Sequence, residues 1–424
     1  MSSRPTRLNV SAVALAAWAL FLGVLSGRPE LFLVAVPLLF GVASSGLRRG
    51  RVGIDLAHDV APRRLFEGER LSVSVTITAR SSLPLLEVME PTPAGAALAA
   101  GQNRAVFRLE PGTRVQWTYE LRCVERGSPQ LGTVYVRVWD RSGYRVHETR
   151  YDDPKSVWIY PGLVPLRRVP RPRRTQTFVG NYVSPSLGEG LEHGDVRPFV
   201  PGDRICHINW RASLRLDRLH VTRYHEERNA DVVLMLDTLA QVGMPPATSL
   251  DFSLRAAASL AAAYLSRRDR VGLIEYGGVM RWVKPDTGRA QFERVLGTLL
   301  RAEAIFTYVS KDLDLIPARV LPPRALVIAL SPLLDARFIK AMSDVRARGF
   351  DLVVIAVSPI ELTRASIAPS PVNDLACRLW ALERRACLHR LRSQGLAVVE
   401  WDPAEPLELA LASYRPEPRR GVVA

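Results

Sequence analysis

Two unbroken apolar runs open the chain. Residues 10–26, VSAVALAAWALFLGVLS, and residues 31–47, LFLVAVPLLFGVASSGL, contain no charged side chain, and Gly27-Arg28-Pro29-Glu30 separates them. Each approaches the roughly 17–25 residues that cross a bilayer core as a helix. The pattern predicts a transmembrane helical hairpin over residues 1–50. Arg4 and Arg7 precede the first run, and Arg48, Arg49 and Arg51 follow the second. Positive flanks on both outer sides predict that both ends of the hairpin face the cytoplasm, with the short turn outside. A cleaved signal peptide is the alternative, but no small-residue cleavage site is clear and a second apolar run follows.

From about residue 51 to residue 160 the period changes to two. RLSVSVTITA alternates strictly, and RAVFRLE, VQWTYELRCVE and TVYVRVWD follow between turns at Pro111-Gly112 and Arg126-Gly127. Short alternating strands at this spacing predict a small antiparallel β-sandwich. Residues 161–187 form a basic, Pro-rich linker containing LRRVPRPRR. It is expected either as a solvated extended connector or as a contact for anionic lipid headgroups.

Beyond it, strand and helix patterns alternate. Strands are predicted over residues 231–237, 270–276, 280–284, 325–330, 351–357 and 396–401, and helices over 251–266, 289–302, 335–348 and 372–394. Such alternation predicts an α/β unit over residues 188–412, doubly wound, with a mostly parallel sheet covered on both faces. Residues 413–424 are expected to be disordered.

A polar stretch leads into this unit. It reads GEGLEHGDVRPFVPGDRICHINWRASLRLDRLHVTRYHEERN and feeds the apolar run 232–236, closed by Asp237. A carboxylate at the C-terminal end of a buried strand stands where open α/β sheets form ligand crevices. The stretch resembles the signature of domain-of-unknown-function family 58. RGSPQLGTVYVRVWDRSGY and VWIYPGLVPL resemble that family's upstream β segment and lead-in. The resemblance implies a von Willebrand factor A-like domain and, as partner, a MoxR-type AAA+ ATPase of the kind often encoded beside such proteins.

It also raises a metal question. The von Willebrand A fold often carries a Mg²⁺ site built on Asp-x-Ser-x-Ser with a later Thr and Asp, a hard oxygen set suited to that ion. Asp237 matches the first ligand, but Leu239 and Gln241 occupy the serine positions and Pro332 the later Asp, with Asp335 displaced. Asp237 is therefore a degenerate metal candidate whose bland alternative is a strand-end residue holding loop backbone. Thr238 could take part in either. No cofactor is expected.

In the signature stretch, acidic and basic residues alternate. The family usually has Arg and Asp where this chain has Cys206 and Asn209. Trp210 is expected to be a buried core anchor for the loop, and Arg197, Arg204 and Arg211, beside Asp203, to be partly exposed partner-docking residues. His193, His207, His220 and His225 cluster around Cys206 without the regular spacing of a zinc site. Neither a nucleophile elbow nor a P-loop is present.

Charge adds one element. The 424 residues carry a formal net charge of +15, and almost all of the excess is arginine. A basic chain can meet nucleic acid or an anionic membrane; without a nucleic-acid motif, the membrane is the expected surface. Four cysteines without framework spacing suit a reducing cytosol. The expectation is a non-enzymatic, membrane-anchored scaffold or adaptor in the inner membrane, its large domains facing the cytoplasm. A Mg²⁺-dependent protein-binding module and a hydrolase are the alternatives.

Overall fold

A computed structural model describes residues 2–47, 53–170, 182–188, 192–228, 231–305 and 321–414. The chain divides into two compact units, Met1–Tyr160 and Pro161–Ala424.

The first unit begins with two apolar helices, α1 (Arg7–Ser26) and α2 (Glu30–Leu47). Thr6 caps α1 by accepting the Asn9 amide, and Gly27 closes it in the left-handed region at φ 62°, a conformation that costs glycine little. α1 is long and apolar enough to cross a membrane, a property shared by anchors and signal sequences; the apolar part of α2, residues 30–44, is shorter.

The sandwich region holds two antiparallel sheets around one core. One runs in the order Ile54–Ala61, Arg70–Ala79, Arg114–Cys123, Ala96–Ala100. The other runs Ser2–Pro5, Arg145–Ser156, Gln130–Trp139, Leu83–Met89, Arg104–Leu109. The period-two burial of Arg70–Ala79 sends Val73, Val75 and Ile77 into the core, where they join Leu86, Val88, Val134 and Val136 of the second sheet. The pleat alone dictates this alternation. A buried His58–Glu90 pair (Nε2···Oε2 3.0 Å) sits among them, and Glu90 Oε1 accepts the Gly132 amide at 2.7 Å.

One pairing departs from the sequence expectation. Residues 2–5, assigned to the helical segment 1–50, form a strand that pairs antiparallel with Arg145–Ser156, Ser2 opposite Glu148 and Pro5 opposite Arg145. Thr6 extends the join, its amide donating to the Tyr144 carbonyl at 3.0 Å and its hydroxyl to the Gly143 carbonyl at 2.7 Å. Alternation over so few residues is too short to register as a strand pattern.

The second unit centres on a six-stranded sheet in the order Arg281–Asp286, Arg270–Tyr276, Asp231–Asp237, Leu326–Ser331, Asp351–Val357, Ala397–Trp401. All neighbours are parallel except the first pair. Asp231–Asp237 is buried at every position, as a central strand covered on both faces must be.

α3 (Trp210–Leu216) packs on the strand His220–Arg228, outside this sheet, whereas around the sheet lie α4 (Ser249–Ser266), α5 (Gly288–Leu300), α6 (Ala336–Ala347), α7 (Ile360–Ser366), α8 (Pro371–Ser393) and α9 (Leu407–Ala412). A reciprocal Thr248–Asp251 capping box starts α4, satisfying amides that a helix start leaves orphaned. Phe338, Met342 and Val345 of α6 and Leu388 and Leu391 of α8 share one core cluster with Val233, Met235, Ile274 and Val354. Residues 232, 234 and 236 take the other face, by the alternation of a strand.

The connector is corrected in part. Instead of running through solvent, residues 164–170 lie on α4: the Val164 amide donates to Ser259 Oγ at 2.9 Å, Tyr264 OH to the Pro170 carbonyl at 2.5 Å, and Arg267 to the Arg167 carbonyl at 2.9 Å. The end of the expected linker, residues 182–187, belongs to the strand Tyr182–Gly188, while residues 171–181 and most of the expected tail, 415–424, lie outside the described residues.

Candidate functional site

Two places singled out by sequence are built very differently. The first is the signature stretch. Its strands Glu192–Pro198 and Tyr182–Gly188 flank His220–Arg228, both antiparallel. Between Glu192–Pro198 and His220–Arg228 the chain turns at Pro201-Gly202, with Gly202 at φ 107°. Asp203 Oδ2 accepts the Val200 amide at 2.8 Å, and its Oδ1 meets Arg197 Nη2 at 2.5 Å. Arg197 Nη1 also donates to the Pro198 carbonyl at 2.9 Å. Arg197 and Asp203 thus brace the turn from within, with both side chains largely covered. This corrects their expected use in docking: a guanidinium committed to a carboxylate and a carbonyl of its own loop has little left for a partner.

Asn209 starts α3. Its Oδ1 accepts the Ala212 amide at 3.0 Å and its Nδ2 donates to Thr222 Oγ1 at 3.0 Å. Asparagine serves as a helix cap here, so the uncharged residue is sufficient. Ser213 faces inward, its hydroxyl donating to the Asn209 carbonyl and accepting the His220 amide, both at 2.8 Å.

Ser213 is the one buried residue of α3, and the large apolar groups beside it stay exposed. Trp210 is 61% exposed, and Leu214, one turn later, and Ile205 are more exposed still. The expectation of a buried Trp210 is wrong. The short α3 buries Ser213 alone, so it offers the indole no covered position. Arg204 and Arg211 are exposed beside it. Leu214 and Ile205 went unnoticed in the sequence; the signal was the i, i+4 spacing of Trp210 and Leu214.

The second place is the sheet edge at Asp237. The side chain is 1% exposed. Its Oδ2 accepts the Ser331 hydroxyl at 2.5 Å and its Oδ1 accepts the Leu239 amide at 3.0 Å. Burial pushes its pKa up to about 7, against the smaller lowering effects of those two hydrogen bonds. Ser331 ends the neighbouring strand and also accepts the Leu333 amide at 2.8 Å; no spacing in the sequence marks it, next to Pro332, as the partner of Asp237. Thr238 is buried and donates to the Tyr276 carbonyl at 3.3 Å. Leu239 joins the core cluster.

Asp335 caps α6 and is gripped by Arg337, Nη2 to Oδ2 at 2.7 Å and Nε to Oδ1 at 3.0 Å, so its pKa is held below the usual carboxylate range, chiefly by that contact. The Arg384 guanidinium, buried in α8, donates to the carbonyls of Pro332 (2.7 Å) and Val357 (3.0 Å) and pairs with Glu400 at 3.0 Å.

The residues at this edge do not compose a Mg²⁺ site. Both oxygens of Asp237 are engaged by protein donors, Asp335 already faces a guanidinium, and the Leu239 position offers an alkyl group. Among the described residues no cluster of three or more His, Cys, Asp or Glu side chains could hold a metal.

A family model matches the region that carries both places, and known proteins are similar to the chain. The model of the family "Protein of unknown function DUF58" matches residues 195–364. The chain is 24% identical over 196 residues to the uncharacterized protein YeaD of Bacillus subtilis, covering 45% of this chain and 49% of that one. It is 27% identical over 151 residues to the uncharacterized protein Rv1480 of Mycobacterium tuberculosis, covering 35% and 47%. The chain thus spans about half the length of the curated relatives it matches. A solved cupredoxin domain of amoB from Nitrosocaldus yellowstonii overlaps 26% of this chain and 88% of its own at 10% identity, with a TM-score of 0.19 that carries no argument. Over residues 195–364, from the signature strand through the sheet edge to α7, the chain is similar to DUF58 proteins.

Proposed function

We propose that the protein is a membrane-anchored, non-enzymatic adaptor that holds a protein partner through the α3 face of its signature stretch. The observation that carries this reading is the exposed Trp210–Leu214 pair with Ile205, bordered by Arg204 and Arg211. Tryptophan and arginine are the residue types that most often dominate binding at interfaces, and a solvent-facing indole costs a chain solubility unless something covers it. Binding rather than hydrolysis suits a face made of alkyl, indole and guanidinium groups. A Mg²⁺-dependent version gains no support from an Asp237 whose oxygens are already occupied.

The anchor is α1 and α2 crossing the inner membrane as a hairpin, with the arginine-flanked ends and both large units in the cytoplasm. The pairing of residues 2–5 with the sandwich supports this reading, because it requires the start of α1 and the sandwich to lie on one side. The α/β unit is read as a von Willebrand A-like domain from its largely parallel sheet and the family resemblance. That resemblance also supplies the partner, a MoxR-type AAA+ ATPase in the same compartment.

The test is co-purification of the detergent-solubilised full chain with a purified MoxR-type ATPase encoded by the same genome. The Trp210→Ala/Leu214→Ala variant is expected to lose the ATPase while melting as the parent does. Undiminished retention by the variant, or no retention by the parent, overturns the reading.

A further inference from the structure

α8 carries a second surface that the adaptor reading does not use. Val372, Leu375, Leu379 and Leu382 follow one another at intervals of three, four and three residues, and all are 54–74% exposed. The buried residues of the same helix, Cys377, Arg384, Leu388 and Leu391, lie on the opposite side. In heptad terms the exposed set falls at the two seam positions, while Cys377, Arg384 and Leu391 occupy the position farthest from the seam. One face of α8 therefore completes the α/β core and the other presents a coiled-coil seam without a second helix.

One border of the seam is basic. Arg378 and Arg385 flank it there, both exposed, and among the described residues neither is in an ion pair. Ala376 and Glu383 lie on the other border, and the exposed Arg390 follows about two turns past Leu382. We propose that this face of α8 receives a helix of a partner protein, about three turns long, with leucine-type residues at heptad spacing and Asp or Glu on its flanks. The length follows from the stripe: residues 372 to 382 rise about 15 Å along a helix.

Three features favour that occupant. A strict seam is narrow, whereas a helix that lies in a membrane interface needs a broader apolar face. Glu383 beside the stripe would oppose an anionic bilayer. A second copy of this chain packed antiparallel would set Arg378 against its own counterpart, and packed parallel would set Arg385 against Arg390; the chain as a whole carries +15, so the complement is an acidic helix from elsewhere.

The test uses the full chain in detergent and two synthetic helical peptides with leucines at the seam positions, one flanked by Glu and the other by Lys, read by fluorescence anisotropy. The Glu-flanked peptide is expected to bind at least tenfold more tightly than the Lys-flanked one. Leu379→Gln/Leu382→Gln should weaken it tenfold or more, and Arg378→Glu/Arg385→Glu should reverse the preference. These positions are exposed, so melting should stay close to that of the parent; Trp210→Ala should leave peptide binding intact, which separates this result from the adaptor reading. Equal binding of the two peptides, or binding of neither, overturns the proposal. So does a Leu379→Gln/Leu382→Gln variant that converts a dimer to a monomer, or one that loses retention on anionic vesicles while the peptide fails to bind.

Discussion

The sheet edge at Asp237 and the α3 face of the signature stretch invert what their residue types suggest. A carboxylate at the end of a central strand is where chemistry is usually sought, yet Asp237 is enclosed and hydrogen-bonded on both oxygens. Tryptophan is where core is usually sought, yet Trp210 stands in solvent. The difference lies in what surrounds each group. Ser331, the Leu239 amide and the Arg384 clamp spend the polar groups of the sheet edge on one another, and Asn209 and Ser213 spend the inward face of α3 on hydrogen bonds. A polar group is available for function only when its neighbours leave it unsatisfied, and an apolar one only when the fold has no pocket for it.

The contrast breaks most visibly at Asp237. Its folded carboxyl keeps a proton up to about pH 7, whereas the unfolded chain releases it near pH 4. The folded state binds more protons in that window, so this group makes stability fall as pH rises from about 4 to 7, then level off, by about 4 kcal/mol in all. Asp237→Asn should remove that slope and stabilise the protein at pH 8, as denaturant titrations across the range would record. A parent slope that survives in the variant would show that another group titrates.

Arg384→Ala tests whether the sheet edge is a brace. The two carbonyls of Pro332 and Val357 would lose a charged donor, a cost of about 3 kcal/mol, visible as a lowered melting temperature. An unchanged melt would mean that the edge holds without its clamp. Trp210→Ala sits at the small end: its effect on stability should stay within about 0.5 kcal/mol, although partner retention falls. A large loss of stability there would restore the buried-anchor reading and remove the contrast.

The periodic parts of the molecule were legible in the sequence. The clean alternation of residues 70–79, the fully apolar strand ending at Asp237 and the Ala-rich α4 each declare themselves locally. What escaped depends on who sits opposite. Ser331 matters because its strand is in register with the one that ends at Asp237, and that register is a property of the sheet. Trp210 was misjudged because residue type alone sets a prior for burial, whereas the short α3 decides the outcome. Arg197 and Asp203, six residues apart, look like surface charges in the sequence; only the turn at Gly202 brings them together.

The strand Ser2–Pro5 sets an order of events during synthesis. Thr6 leaves the ribosome long before the Gly143 carbonyl it will bond, 137 residues further along. The helices between are complete well before the sheet that receives their leading strand can exist. Until Arg145–Ser156 has been made and has paired with Gln130–Trp139, the unpaired amides of residues 2–5 must stay hydrated or be shielded. Closing so long a loop is slow, so the return of residues 2–5 waits on strands made more than a hundred residues later.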